Sequence, residues 1–263
     1  MQIVSLIRKT GGDVVGRVCL EIGTGWRPFL PMCLRMAGAR RTITLDVNPW
    51  LDARYVRETY QAFREHLPRV ADRIGVSAEK METRWLDGEI DYEEMSALLT
   101  GCGIDYRCPA DAGNTGFPSD SVDFVVTCGV LEHIPPSDLQ RIHCECFRVL
   151  RPGGLGVHRI SVGDHFRCAD PSINGANFLQ FSDDAWQWYG GSGLAYHNRL
   201  RCVQHLDIFK ECGFSVVHED VRMDTEALDA IHTGRLRVAP RFRAFTPEEL
   251  AADFLKVIVV KPR

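Results

Sequence analysis

Residues 17–26 read RVCLEIGTGW: a short apolar run holding one acid, Glu21, followed by Gly23, Thr24 and Gly25. A strand that empties into a turn with two glycines lets a ligand approach the backbone closely, because no Cβ stands in the way. The next stretch, 28–38, reads PFLPMCLRMAG and is apolar nearly all round. Pro28 suits a first helical turn, where its missing N–H would have no intrahelical acceptor, and Gly38 supplies a stop. Strand, glycine turn and buried helix together predict the opening unit of an α/β sheet.

Working outward, the same alternation continues. A second strand over 41–47 ends in Asp46 and Val47, and an apolar stretch around Ile104 leads into Asp111 and Ala112. The run VDFVVTCGV at 122–130 is continuously apolar, as expected of a strand buried on both faces of a parallel sheet. Ser137 with Gln140 forms a capping-box pattern, after which Leu139, Ile142, Cys146, Val149 and Leu150 recur at helical spacing until the Pro-Gly-Gly at 152–154. A fifth strand over 155–161, a helix over 203–212 and strands over 214–221 and 254–260 complete the pattern. The prediction is a seven-stranded, mostly parallel sheet with helices on both faces.

The 263 residues suit one domain enlarged by insertions, and two stretches, 49–103 and 162–201, exceed ordinary loop length. The first is highly charged with helical spacing at Tyr55, Tyr60, Phe63 and Leu67, which reads as a solvated helix pair covering the sheet. The second carries seven of the chain's 24 aromatics among Asp, Asn, Ser and Gly, a mixture suited either to lining a substrate pocket or to anchoring the insertion. With 31 basic against 35 acidic residues and a net charge of −4, no positive field awaits nucleic acid. No apolar run reaches the roughly 20 residues of a membrane helix, and the first residues lack the pattern of a secretory leader, so a cytoplasmic protein without membrane partners is expected. The ten cysteines are scattered and lack paired CxxC spacing, which predicts reduced packing residues and no metal site.

Asp46 lies 21 residues beyond Gly25, where an acid at a strand exit accepts the hydroxyl protons of a ribose. The alternative is an acid capping a helix that begins near Pro49. A dinucleotide site would place a third glycine where Pro28 stands, and no arginine-rich phosphate clamp flanks the turn. The residues therefore favour S-adenosylmethionine over a nicotinamide cofactor. A nicotinamide-dependent oxidoreductase and a non-catalytic module that binds S-adenosylmethionine are the competing readings.

The ordered motifs LEIGTGW at 20–26, LDVN at 45–48, PADAGNTGFPSDSVDFVVTCGVLEHI at 109–134 and RVLRPGG at 148–154 resemble those of class I S-adenosylmethionine-dependent methyltransferases, of the type 11-like kind with a Rossmann-like sheet. The resemblance implies that the turn at Gly23, Thr24 and Gly25 passes the methionine part of the cofactor and that Glu21 helps to hold its ammonium group. It implies further that Asp46 with Val47 takes the ribose, that Asp111 and Ala112 meet the adenine, and that Cys128 and Gly129 border the sulfonium. The segment 164–214 also resembles a subgroup that decorates saccharides or secondary metabolites.

Methyl transfer asks mainly for alignment, and for a base where the acceptor is a hydroxyl. His133, His165 and His197 all lie on segments that reach the carboxyl ends of the strands and are the candidate bases. Asp164 either orients His165 or caps a turn, and Asn198 and Arg199 are candidates for contact with a polar acceptor. The expected function is methyl transfer to a small molecule or saccharide, at oxygen.

Overall fold

A computed structural model describes residues 1–84, 95–190 and 196–263; the parts of the two predicted insertions at 85–94 and 191–195 lie outside the described residues. The strands are β1 (Val18–Ile22), β2 (Arg41–Leu45), β3 (Ile104–Arg107), β4 (Val122–Cys128), β5 (Leu150–Ser161), β6 (Ser215–Met223) and β7 (Ala252–Val260). They form one sheet in the order β3-β2-β1-β4-β5-β7-β6. The first five are mutually parallel and β7 runs antiparallel to both neighbours. Strand order reverses between β1 and β4, and the crevice beyond the carboxyl ends of those two strands is where such sheets bind ligands.

The helices before the second half of the sheet are α1 (Gln2–Lys9), α2 (Phe29–Ala37), α3 (Ala53–Glu65), α4 (Leu67–Ile74), α5 (Ala78–Glu82) and α6 (Met95–Gly101). Those that follow are α7 (Pro136–Val149), α8 (Asp183–Gly190), α9 (Cys202–Glu211), α10 (Thr225–His232) and α11 (Pro247–Ala251). The buried helix predicted after the glycine turn is α2, ended by Gly38 at φ 109°. One sheet face is covered by α1 to α4, through residues such as Ile7, Leu34, Phe63 and Ile74. The other is covered by α7 and α9, through Leu139, Val149, Leu206 and Phe209. A third apolar cluster joins the segment after β5 to the connection between β6 and β7: Phe178, Leu179 and Trp186 pack with Ala227, Phe242 and Leu250. No described helix is long and apolar enough to cross a membrane.

Three expectations are revised and two features are added. The first residues form a helix, α1, whose Ile3, Val4, Leu6 and Ile7 bury one stripe. The capping box at Ser137 does not form: α7 starts at Pro136 after Pro135, with no side-chain cap, because two prolines set the entry and leave Ser137 inside the first turn. β5 begins at Leu150 rather than after Pro-Gly-Gly, since Leu150 pairs with Val122 and the Gly153 amide donates to the Lys261 carbonyl. Asp46 does not cap a helix, because α3 begins at Ala53 and is capped by Asp52, which accepts the Arg54 amide hydrogen at 2.7 Å. The connection between β6 and β7 carries α10 and α11, an addition the sequence pattern did not suggest.

Three histidines are sealed between β5 and its covering helices: His143 on α7, His158 on β5 and His205 on α9 are each at most 1% exposed. Neither ring nitrogen of His143 or His205 has a hydrogen-bond partner, and His158 Nδ1 pairs with the Thr127 hydroxyl at 3.0 Å. Burial holds His143 and His205 down to about 3 and His158 well below its ordinary value. A histidine whose folded value lies below the unfolded 6.5 contributes stability that is present above 6.5 and lost as pH falls toward the folded value. Melting temperature is therefore expected to fall as pH drops below about 6.5, and His143→Leu to flatten that slope. A thermal-shift series over this range checks it; an unchanged slope in the variant contradicts it.

Candidate active site

The turn after β1 is built from backbone freedom. Gly23 sits at φ 80°, and a Cβ there would stand 2.5 Å from Cγ2 of Val130, so the position has neither the torsion nor the room for a side chain. Gly25, at φ 65°, faces open space. Its amide donates to Oδ2 of Asp46 at 2.8 Å, while Oδ1 of Asp46 accepts the Asn48 amide hydrogen at 3.1 Å. The Gly23 amide donates to the Leu45 carbonyl. The ends of β1 and β2 are thus tied by backbone and carboxylate together.

Beneath this turn, Glu21 is buried on β1 and accepts the Thr44 hydroxyl proton, and Thr44 in turn pairs with the Thr24 hydroxyl. Burial, opposed by that hydrogen bond and reinforced by the nearby charge of Asp46, pushes the Glu21 carboxyl up to about 8. A cation placed beside it would favour its ionised form. Around the turn the rim is apolar and open: Val47 and Trp26 are exposed, and Trp26 packs against Trp50 in a tilted arrangement with ring centroids 4.9 Å apart.

At the next strand exit the Ala110 amide donates to the Asp46 carbonyl, joining the segment after β3 to the same crevice. Asp111 is exposed and is held by Arg141, whose Nη1 reaches both carboxylate oxygens at 2.9 and 2.7 Å. This pairing keeps the carboxyl below its usual range. Ala112 is half-buried against the apolar cluster under α7.

β4 ends at Cys128, an exposed thiol that accepts a hydrogen bond from Arg159 Nη1 at 3.3 Å, and Gly129 follows at φ 72°. A Cβ on Gly129 would lie 3.8 Å from Oε1 of Glu132. Glu132 was not anticipated. It is 1% exposed, its Oε1 accepts the Ser161 amide hydrogen at 3.2 Å, and its Oε2 is buried without a partner. Burial raises its carboxyl above the ordinary value. The sequence signal was an acid inside the otherwise apolar LEHI.

The three candidate histidines meet. Ring centroids are 4.2 Å apart for His165 and His197, 5.2 Å for His133 and His165, and 5.7 Å for His133 and His197. His133 is exposed and donates from Nδ1 to the Tyr196 carbonyl at 2.8 Å, which leaves Nε2 as the acceptor. His165 Nε2 pairs with the Ser161 hydroxyl at 2.9 Å. His197 is buried with both nitrogens unpartnered. Burial, aided by neighbouring positive charge, lowers His165 to about 4 and His197 to about 3, so both rings are neutral near pH 7. Ser161 links this cluster to Glu132, three residues beyond Gly129.

Other assignments change. Asn198 is buried and donates from Nδ2 to the Leu131 and Ile134 carbonyls, which bolts its segment to the turn carrying Glu132 and His133. Arg199 is buried too, with Nη1 on the Phe178 and Phe181 carbonyls and Nη2 on Asp183. Both side chains spend donors on the scaffold. Asp164 caps a turn, accepting the Phe166 amide hydrogen at 2.8 Å, and does not hydrogen-bond to His165. Of the aromatic rings after β5, Phe178 and Trp186 are buried anchors, whereas Phe166 and Trp188 are exposed.

Two cavities adjoin these elements. One of about 510 Å³, lined by Arg17, Asp123 and Arg151, lies at the amino ends of β1, β4 and β5, opposite the crevice. The other, of about 360 Å³, lies beside the histidine cluster with His197 and Tyr196 in its wall. The position of ligand sites in such sheets, rather than size, assigns the chemistry to the carboxyl ends.

Residues 88–157 match a family model described as a methyltransferase domain. Among solved structures, the fold is similar to an S-adenosylmethionine-dependent methyltransferase from Mesorhizobium loti, at 16% identity over 97% of this chain and 96% of that one, with a TM-score of 0.53. It is similar to a proposed sarcosine dimethylglycine methyltransferase from Galdieria sulphuraria, at 14% identity over 99% and 84% of the two chains, TM-score 0.54. It is also similar to an S-adenosylmethionine-dependent methyltransferase from Methanosarcina mazei, at 16% identity over 97% of each, TM-score 0.51. Among curated proteins none matches the chain in sequence.

The Glu21 carboxyl gives a direct test of the crevice's electrostatics. An unfolded glutamate loses its proton near 4.5, whereas the folded one keeps it to about 8. Stability from this group is whole below 4.5 and is lost as pH rises through 8. Glu21→Gln is expected to melt above the parent protein in alkaline buffer and to lose that advantage at acid pH, read by thermal shift. A melting difference independent of pH contradicts the buried, protonated carboxyl.

Proposed function

We propose that this chain, which matches a methyltransferase domain over residues 88–157 and shares the fold of S-adenosylmethionine-dependent methyltransferases, is such an enzyme and methylates a hydroxyl of a small molecule or saccharide. The observation that carries this reading is the meeting of His133, His165 and His197 beside the strand ends: a hydroxyl acceptor must give up a proton, and imidazole is suited to take it. When bound, S-adenosylmethionine supplies an electrophilic methyl group.

The residues that would hold it fit its parts. The open turn at Gly23, Thr24 and Gly25 leaves room for the methionine portion, and the partner-poor carboxyl of Glu21 suits an ammonium group. Asp46, already oriented by two amides, keeps lone pairs for the ribose hydroxyls. The exposed Val47 and the Asp111–Ala112 segment flank the adenine side, and Cys128 with Gly129 border the sulfonium. His165 and His197 stay neutral near pH 7, so their lone pairs are free of protons, while burial makes both weaker bases than an ordinary imidazole. His133, exposed and with Nδ1 committed to the Tyr196 carbonyl, keeps Nε2 toward solvent as a route for the proton to leave. The alignment of acceptor and methyl contributes most of the acceleration, as it does wherever two reactants are held in line. The ten cysteines, all free thiols, support a reducing, cytoplasmic setting.

Calorimetry is expected to show S-adenosylmethionine and its demethylated product binding at micromolar concentration. Asp46→Ala is expected to weaken that binding about ten- to a hundredfold, the worth of charge-assisted hydrogen bonds. His165→Ala should leave affinity in place and slow labelled-methyl transfer to a metabolite extract by about a hundredfold. Lost affinity in the histidine variant with turnover retained, or no binding of either ligand to the parent protein, refutes the assignment.

A further inference from the structure

Buried charges in folded proteins are normally paired, because desolvation of an isolated ion is costly. Arg201 breaks this rule. It is 0% exposed, and its guanidinium reaches only carbonyls: Nη2 to Val162, Nη1 to Ala252 at 3.2 Å and Nε to Arg199 at 3.4 Å. Beside it, buried Arg199 shares one carboxylate, Asp183, with Arg241. A buried acid in this corner, Asp253, is already engaged by Arg167 at 2.9 Å and Arg222 at 2.8 Å. Arg199 and Arg241 therefore share one carboxylate that is itself largely exposed, and Arg201 rests on carbonyls alone.

Arg199, Arg241 and Asp183 border a cavity of about 360 Å³ whose wall also includes Trp186, Tyr196 and His197. His197 is the second observation. It is 4% exposed, lies on that wall, has no partner for either nitrogen and is in ring contact with His165. A buried unpartnered imidazole at a cavity edge is a polar group awaiting a ligand. Arg241 keeps 40% of its side chain exposed, with one nitrogen on Asp183, so its fork has donors to offer.

We infer that this cavity receives the methyl acceptor, and that the acceptor carries an acidic group, a carboxylate or a phosphate monoester, which seats on Arg241 and offsets the surplus positive charge. The acceptor's hydroxyl then faces His197 and, beyond it, His165 and His133. The cavity has room for about one sugar ring with an acidic substituent, the low end of ordinary ligand pockets. This rests on the methyltransferase reading above and adds the charge of the substrate to it.

The test uses the full chain saturated with S-adenosylhomocysteine and three probes sharing one ring: glucose, glucuronate and glucose 6-phosphate, titrated by calorimetry. Either acid is expected to bind about tenfold or more tightly than glucose, the two acidic arms separating carboxylate from phosphate. Arg241→Gln should erase the preference and Arg241→Lys retain part of it, both with unchanged affinity for S-adenosylhomocysteine. Equal binding of glucose, a preference that survives Arg241→Gln, or no binding of either acid at millimolar concentration overturns the inference. Failure of S-adenosylhomocysteine to bind the parent protein would overturn the methyltransferase reading instead.

Discussion

The crevice depends on one carboxylate. Asp46 leaves β2 with both oxygens engaged by backbone amides, one from Gly25 in the turn after β1 and one from Asn48 in its own exit. Hydrogen bonds to an ionised acceptor contribute about 1.5–3 kcal/mol each, enough to fix two strand exits relative to one another. The neighbouring Glu21 is part of the same design with opposite character: it is sunk below the turn, satisfied by a single hydroxyl and left protonated. One acid organises the backbone, and the other waits for a positive charge.

Much of this was legible in the sequence because its causes are local. Gly23 and Gly25 advertise positive φ, the apolar run at 122–130 advertises a strand buried on both faces, and Asp46 stands where a strand exit needs an acid. The histidines were identified separately, from their nearness to strand ends, and their meeting is a property of the fold. What stayed hidden is non-local. Glu132 reads as an ordinary surface acid until Ser161, 29 residues later, is seen to donate to it. Asn198 and Arg199 read as ligand contacts because long polar side chains in an aromatic insertion suggest recognition, yet the carbonyls that claim them come from turns 18 to 67 residues away. The capping box at Ser137 failed for a local reason, the preceding prolines.

The region around the crevice accumulates the costs of polar burial. A protonated glutamate, a second buried acid with an unpaired oxygen, a neutral histidine without partners and an arginine without a counter-charge all lie along the carboxyl ends or just above them. Polar burial of this kind is tolerated where surrounding packing is strong, and two extensive apolar layers flank the sheet.

The apolar cluster formed by Phe178, Trp186, Phe242 and Leu250 shares no buried residue with either of those layers. Its two contributing segments enter and leave the sheet near its antiparallel end, away from β1 and β2. Substitutions that repack this cluster are therefore expected to leave the packing around β1 and β2 in place.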